Sequence, residues 1–110
     1  MKAESDFGLK KTTLEAIRAV LQGFPGVEKA VIYGSRALEN YKYNSDIDLT
    51  LIGSSLGMTD LLRIENELDD LLLPYQIDLS IFHQIDNPDL IKHIQEHGKL
   101  LFEKNMGFSR

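Results

Sequence analysis

The sequence predicts an α/β fold of the α+β kind, a small mixed sheet of three to four strands with helices on one face. Three observations carry this. Apolar residues recur at steps of three and four in three separate stretches, 12–22, 59–73 and 88–97. Short runs of β-branched or alternating character fall between them, at 27–33, 46–52 and 75–82. The resulting order of helix, strand, loop, strand, helix, strand, helix contains no repeat and no linker, and helices gathered on one face would leave the other face of the sheet open. The 110 residues suit a single domain spanning 1–110, because two separate cores would each be marginal at this size.

Residues 1 to 8 are polar and are expected to fray. Thr12 or Thr13 is the expected cap of the first helix, with Leu14, Ile17 and Leu21 on its buried side. Gly23-Phe24-Pro25-Gly26 breaks it. Val27 to Tyr33 reads as a buried strand ending at Gly34, and Ser35 to Ser45 as a short helical turn followed by a loop. In Asp46 to Ile52, Ile47, Leu49 and Leu51 point one way while Asp46, Asp48 and Thr50 point the other. Thr59 is the expected cap of the second long helix, whose stripe is Leu61, Ile64, Leu68 and Leu71 or Leu72, and Pro74 ends it. Tyr75 to Phe82 forms the third strand, with Asp78 and Ser80 on the face away from Ile77, Leu79 and Ile81. Asn87-Pro88-Asp89 is a strong helix start. Gly98 closes that helix, and Lys99 to Glu103 adds a short edge strand.

Bulk properties narrow the function classes. A net charge of −5 argues against an extended nucleic-acid surface, so a large partner is expected to be a protein, one with a basic surface. No apolar run approaches the roughly 20 residues of a membrane helix, and no membrane association is expected. Without cysteine there is neither a disulfide framework nor a thiolate metal site, and a cytoplasmic protein is the simplest reading.

The chemistry gathers in two short segments and one later residue. Gly34-Ser35 lies where a buried strand turns toward a helical segment. Glycine lets the backbone approach a ligand, and serine and the exposed N–H groups of a helix start favour an anion. Alone, such a dipeptide is most often a turn. Asp46 and Asp48 project to one side of a strand, about 6.6 Å apart along the chain. Their oxygens suit Mg²⁺, which takes a few carboxylates together with substrate phosphates. An isolated Asp-Ile-Asp is more often a solvated strand face, although aspartate is a poor strand former. Asp78 repeats the pattern on the third strand. Three carboxylates on adjacent strands can hold two metals roughly 3.5–4 Å apart, the arrangement that supports in-line nucleotidyl transfer.

Gly34-Ser35, then Asp46-Ile47-Asp48-Leu49, resembles the signature of the DNA polymerase beta nucleotidyltransferase superfamily. The longer string Tyr33-Gly34-Ser35-Arg36-Ala37 with Ser45-Asp46-Ile47-Asp48-Leu49 is similar to its minimal nucleotidyltransferase (MNT) branch, and Asp78 falls where that family places a third carboxylate. The resemblance implies the nucleotidyltransferase fold and transfer of a nucleoside monophosphate from ATP or another NTP to a hydroxyl. It implies that Gly34 and Ser35 bind the β,γ-phosphates, that Asp46 and Asp48 ligate two Mg²⁺ ions, and that Asp78 ligates the catalytic one and helps deprotonate the acceptor. It further implies an antitoxin that adenylylates a small helical HEPN toxin in a hetero-oligomer. The alternative is a non-catalytic binding module that neutralises a partner by complex formation and keeps a vestigial nucleotide site.

Secondary candidates surround this set. Arg36 follows the turn and could reach a triphosphate, or form a surface salt bridge. Lys42 is expected to be a solvated loop residue. Tyr33, Tyr41 and Tyr43 could stack on a base, though packing explains Tyr33 more economically. His93 and His97 have zinc-compatible spacing on the last helix. No third ligand and no HExxH glutamate accompany them, so no zinc site is expected there.

Overall fold

The computed structural model describes residues 6–104. Four strands, β1 (Lys29–Tyr33), β2 (Ile47–Ile52), β3 (Ile77–Ile81) and β4 (Lys99–Glu103), form one sheet in the order β3-β2-β1-β4. β1 pairs antiparallel with β2 and with β4, while β2 and β3 are parallel. A parallel neighbour needs a crossover, and α3 (Met58–Asp69) supplies it between β2 and β3. The remaining helices are α1 (Lys11–Gln22), the short α2 (Ser35–Leu38) and α4 (Pro88–His97).

One face of the sheet carries the main core. Ala30 and Ile32 of β1, Ile47, Leu49 and Leu51 of β2, and Leu79 and Ile81 of β3 pack against Leu14, Ile17 and Leu21 of α1 and Ile64 and Leu68 of α3. Alternation from Ile47 to Leu51 delivers Ile47, Leu49 and Leu51 to this face, all fully buried. Burying this apolar face and the two amphipathic helix stripes is the main drive to fold.

α1 and α3 cover the face expected of the helices, but α4 does not join them. It lies across the opposite side of β1, where Gly98 packs on the Val31 side chain, His93 meets Tyr33, and Ile94 is buried outside the main core cluster. The face expected to be open is therefore roofed at its β1 end by α4.

Local boundaries differ for identifiable reasons. The expected fraying of residues 1 to 8 is corrected over residues 6 to 8. Asp6–Gly8 form a 3-10 turn, Phe7 packs against the core, and the adjoining Leu9 is fully buried. Residues 1 to 5 lie outside the described residues. Neither expected threonine cap is used. α1 begins after Lys10, and α3 begins after Gly57, whose N–H donates to the Asp60 carboxylate at 3.1 Å. At α4 the expected cap is present, with Asn87 Oδ1 accepting from the N–H groups of Asp89 and Leu90 and Pro88 in the first turn.

Candidate active site

The site is a row of side chains across the middle of the sheet, on the face away from the main core. Tyr33, the last residue of β1, is the register partner of Asp48, and Asp48 is the register partner of Asp78. Paired residues on neighbouring strands stand about 4.8 Å apart and point to the same side. The next row is polar as well: Thr50 is fully buried, and Ser80 Oγ donates to Thr50 Oγ1 at 3.0 Å. That bond gives the fully buried Thr50 hydroxyl a partner beneath the carboxylates.

Beyond Tyr33 the chain turns sharply at Gly34, with φ 76° and ψ −153°, a combination close to glycine-only backbone space. A Cβ there would overlap the Asp48 carboxylate Oδ2, so the backbone lies against that carboxylate with no room for a side chain. Ser35 opens α2; the N–H groups of Ala37 and Leu38 donate to Gly34 O at 3.1 Å, and those of Ser35 and Arg36 come before this ladder. The Gly34 N–H itself is taken by His93, which accepts it through Nε2 at 3.1 Å across 59 residues of sequence.

Electrostatics mark the same spot. The Asp48 carboxyl is raised from its ordinary value, first by partial burial, then by the neighbouring charges of Asp78 and Asp46, while the cationic form of His93 would pull the other way. Tyr33 is also raised, again first by burial. A hydrogen bond with Ser80 opposes that shift, and Asp78 and Asp48 add to it. Asp46, just before β2, and Asp78 are both exposed while Asp48 is half-buried. Among the described residues no three carboxylates or imidazoles converge into a ready-made cage for an ion. Two carboxylates side by side with a third flanking them, beside a half-buried helix start, nevertheless suit a hard cation that arrives with phosphate oxygens of its own.

The chain from residue 15 to residue 106 matches the family described as polymerase beta, nucleotidyltransferase. The chain belongs to that family. Over 87 residues, 78% of this chain and 88% of the relative, this nucleotidyltransferase is 33% identical to a Methanocaldococcus jannaschii protein named as a protein adenylyltransferase. Its fold is similar to that of a solved toxin–antitoxin complex with AMP-PNP (TM-score 0.68, 20% identity, 84% of this chain and 74% of that one). It is also similar to the tri-AMPylated Shewanella oneidensis HEPN toxin in complex with MNT antitoxin (TM-score 0.64, 18% identity, 86% of this chain and 72% of that one).

Within this nucleotidyltransferase, strand register brings Asp48 and Asp78 side by side, Gly34 lies against Asp48, and Ser35 and Asp46 adjoin them in the chain, with the charge of Asp46 felt at Asp48. Arg36 does not join them, and its expected part in phosphate binding is corrected. It is 1% exposed, and its guanidinium donates to Ser45 O (2.8 and 3.2 Å) and to Phe7 O (2.8 Å). The rings of Tyr41 and Tyr75 lie 5.1 and 4.9 Å from it. It is neither a free phosphate donor nor half of a surface salt bridge, but the pin that holds the loop leading to Asp46. Two further residues take parts the sequence reading did not give them. Tyr33 is buried, as packing explains, and also joins the polar row, and His93 reaches the turn; the only sequence signal for His93 was its spacing to His97. A cleft of about 260 Å³ between α3 and β3 involves Leu68, Ile77 and Leu79, which belong to the core-facing register or its rim, so it lies behind the carboxylates. Among the described residues no helix is long and apolar enough to cross a membrane.

Proposed function

We propose that this nucleotidyltransferase moves AMP from ATP to a hydroxyl of a partner protein in a Mg²⁺-dependent reaction, and that the partner is a HEPN-type helical toxin in the cytoplasm. The carrying observation is the contact of Gly34 with Asp48 beside the in-register Asp78. It places a backbone suited to phosphate directly against paired carboxylates suited to metal. The protein adenylyltransferase name of the 33% identical relative supports the transfer of AMP to a protein.

In this reading Ser35 and the first N–H groups of α2 bind the triphosphate tail, and Gly34 contributes by having no side chain. Asp46 and Asp48, with Asp78, hold two Mg²⁺ ions. The bound metal supplies charge neutralisation at the leaving pyrophosphate and a lower pKa for the acceptor hydroxyl. The acceptor oxygen forms a bond to the α-phosphorus, the α–β bridging P–O bond breaks, and pyrophosphate departs. Asp78, exposed at the edge strand, takes the acceptor proton. The hydrogen bond between Ser80 and the buried Thr50 ties together the strands from which the carboxylates project.

The test is incubation of purified protein with α-labelled ATP, Mg²⁺ and the HEPN-type partner. Label should move to the partner, and Asp48→Asn and Asp78→Asn should each abolish transfer while leaving the fold intact. A partner that binds but is never labelled would refute the enzymatic reading. Wild-type labelling by Asp48→Asn would refute the metal assignment.

A further inference from the structure

We propose that His93 is a positioning residue for the phosphate-binding turn, a neutral imidazole on α4 that accepts the Gly34 N–H and so holds Gly34 in its left-handed conformation. The role of the turn in phosphate binding rests on the function proposed above; the hydrogen bond does not.

The β1–β2 ladder ends at Tyr33↔Asp48 and the β1–β4 ladder at Ile32↔Lys99, so the Gly34 amide falls beyond both and has no strand partner. An unpaired, half-buried backbone N–H is costly, and the structure solves this with a side chain from a distant helix. His93 Nε2 sits 3.1 Å from that nitrogen. A ring nitrogen that accepts carries no proton, so the ring holds the turn as the neutral form protonated on Nδ1.

The imidazole has little freedom to leave. Its ring meets Tyr33 edge-on, with centroids 6.1 Å apart and planes at 76°, and His97 stands 5.4 Å away on the same helix. α4 is set in place by the Asn87 cap at one end and by Ile94 and the Gly98–Val31 contact at the other. Gly34 is thus held on two sides, by the Asp48 carboxylate and by the His93 ring. A glycine has access to many conformations, and two fixed contacts select one of them. That preorganisation lowers the ordering cost when a nucleotide binds.

Two substitutions separate the acceptor from the ring. His93→Phe keeps an aromatic ring against Tyr33 and removes the acceptor, whereas His93→Gln can bring an amide oxygen close to the Nε2 position. Amide hydrogen exchange at Gly34 in the nucleotide-free protein should quicken about tenfold or more in His93→Phe, and calorimetric affinity for MgATP should fall about tenfold, the usual scale of one orphaned donor. His93→Gln should restore both to within about threefold. A purely structural role would instead lower the melting temperature in both variants and leave the nucleotide affinity of the folded protein unchanged. Equal Gly34 exchange in wild type and His93→Phe would overturn the proposal. So would unchanged or tighter MgATP binding by His93→Phe, the latter meaning that the imidazole competes with nucleotide for the amide. Should His93→Phe fail to fold, His93→Asn, whose amide is too short to reach Gly34, yields the same readings. A wild type that bound no MgATP would refute the nucleotidyltransferase function, and Gly34 exchange would still decide the role of His93.

Discussion

Replacing Gly34 with alanine tests whether the backbone turn and the Asp48 carboxylate form one unit. Two costs add. A non-glycine residue at φ 76°, ψ −153° is strained by about 1–3 kcal/mol. The new methyl would also overlap Asp48 Oδ2, and relieving an overpacked contact of this kind costs about 1–3 kcal/mol more. A total of about 2–6 kcal/mol corresponds to a fall of roughly 10–25 °C in melting temperature for a domain of this size. Either Asp48 rotates away or the turn shifts, and misplacement of a reacting group by about 1 Å costs about 100-fold in rate. Thermal unfolding followed by circular dichroism reads the first effect, and transfer from α-labelled ATP reads the second. The double variant Gly34→Ala with Asp48→Ala isolates the contact: without the carboxylate only the backbone strain remains, so the two changes should fall short of additivity by about 1 kcal/mol or more. Strictly additive melting shifts, or a single Gly34→Ala variant as stable and active as wild type, would refute the coupling of turn and carboxylate.

The raised Asp48 carboxyl fixes the sign of a pH effect. Between the ordinary carboxylate value near 4 and the raised native value, the folded protein holds a proton that the unfolded chain has released, so stability falls as pH rises through this window. Asp48→Asn should lack that loss: relative to wild type it should gain stability at pH 7, with the gain absent below about pH 4, as read by urea unfolding at a series of pH values. Added Mg²⁺ should raise the wild-type melting temperature at pH 7 and leave that of Asp48→Asn nearly unchanged. Arg36→Leu should cost about 2–4 kcal/mol in urea unfolding, because it leaves the Ser45 and Phe7 carbonyls without their donor in a buried setting. A role in phosphate contact would instead cost nucleotide affinity at unchanged stability. Asn87→Ala removes the cap of α4 and should cost about 1 kcal/mol by the same measurement, with transfer activity retained.

The sequence by itself determined the elements and the identity of the carboxylate set. Alternation in 46–52 and 75–82 is a local property of a strand, so the side to which Asp48 and Asp78 project follows once Ile47, Leu49, Leu51, Leu79 and Ile81 are known to be buried. Asn87-Pro88 likewise states a helix start in local chemistry alone. Other features depended on which elements become neighbours. Arg36 reads as a free cation beside a phosphate turn until Phe7, Ser45, Tyr41 and Tyr75 close around its guanidinium. His93 reads as half of an incomplete zinc pair until α4 crosses β1 on the side opposite α1 and α3. The absolute need for glycine at position 34 arises from the Asp48 oxygen that the β1–β2 register brings against it. In each case at least one deciding partner sits on another element, and its approach is set by burial of the two sheet faces, a collective property that no short window of residues contains.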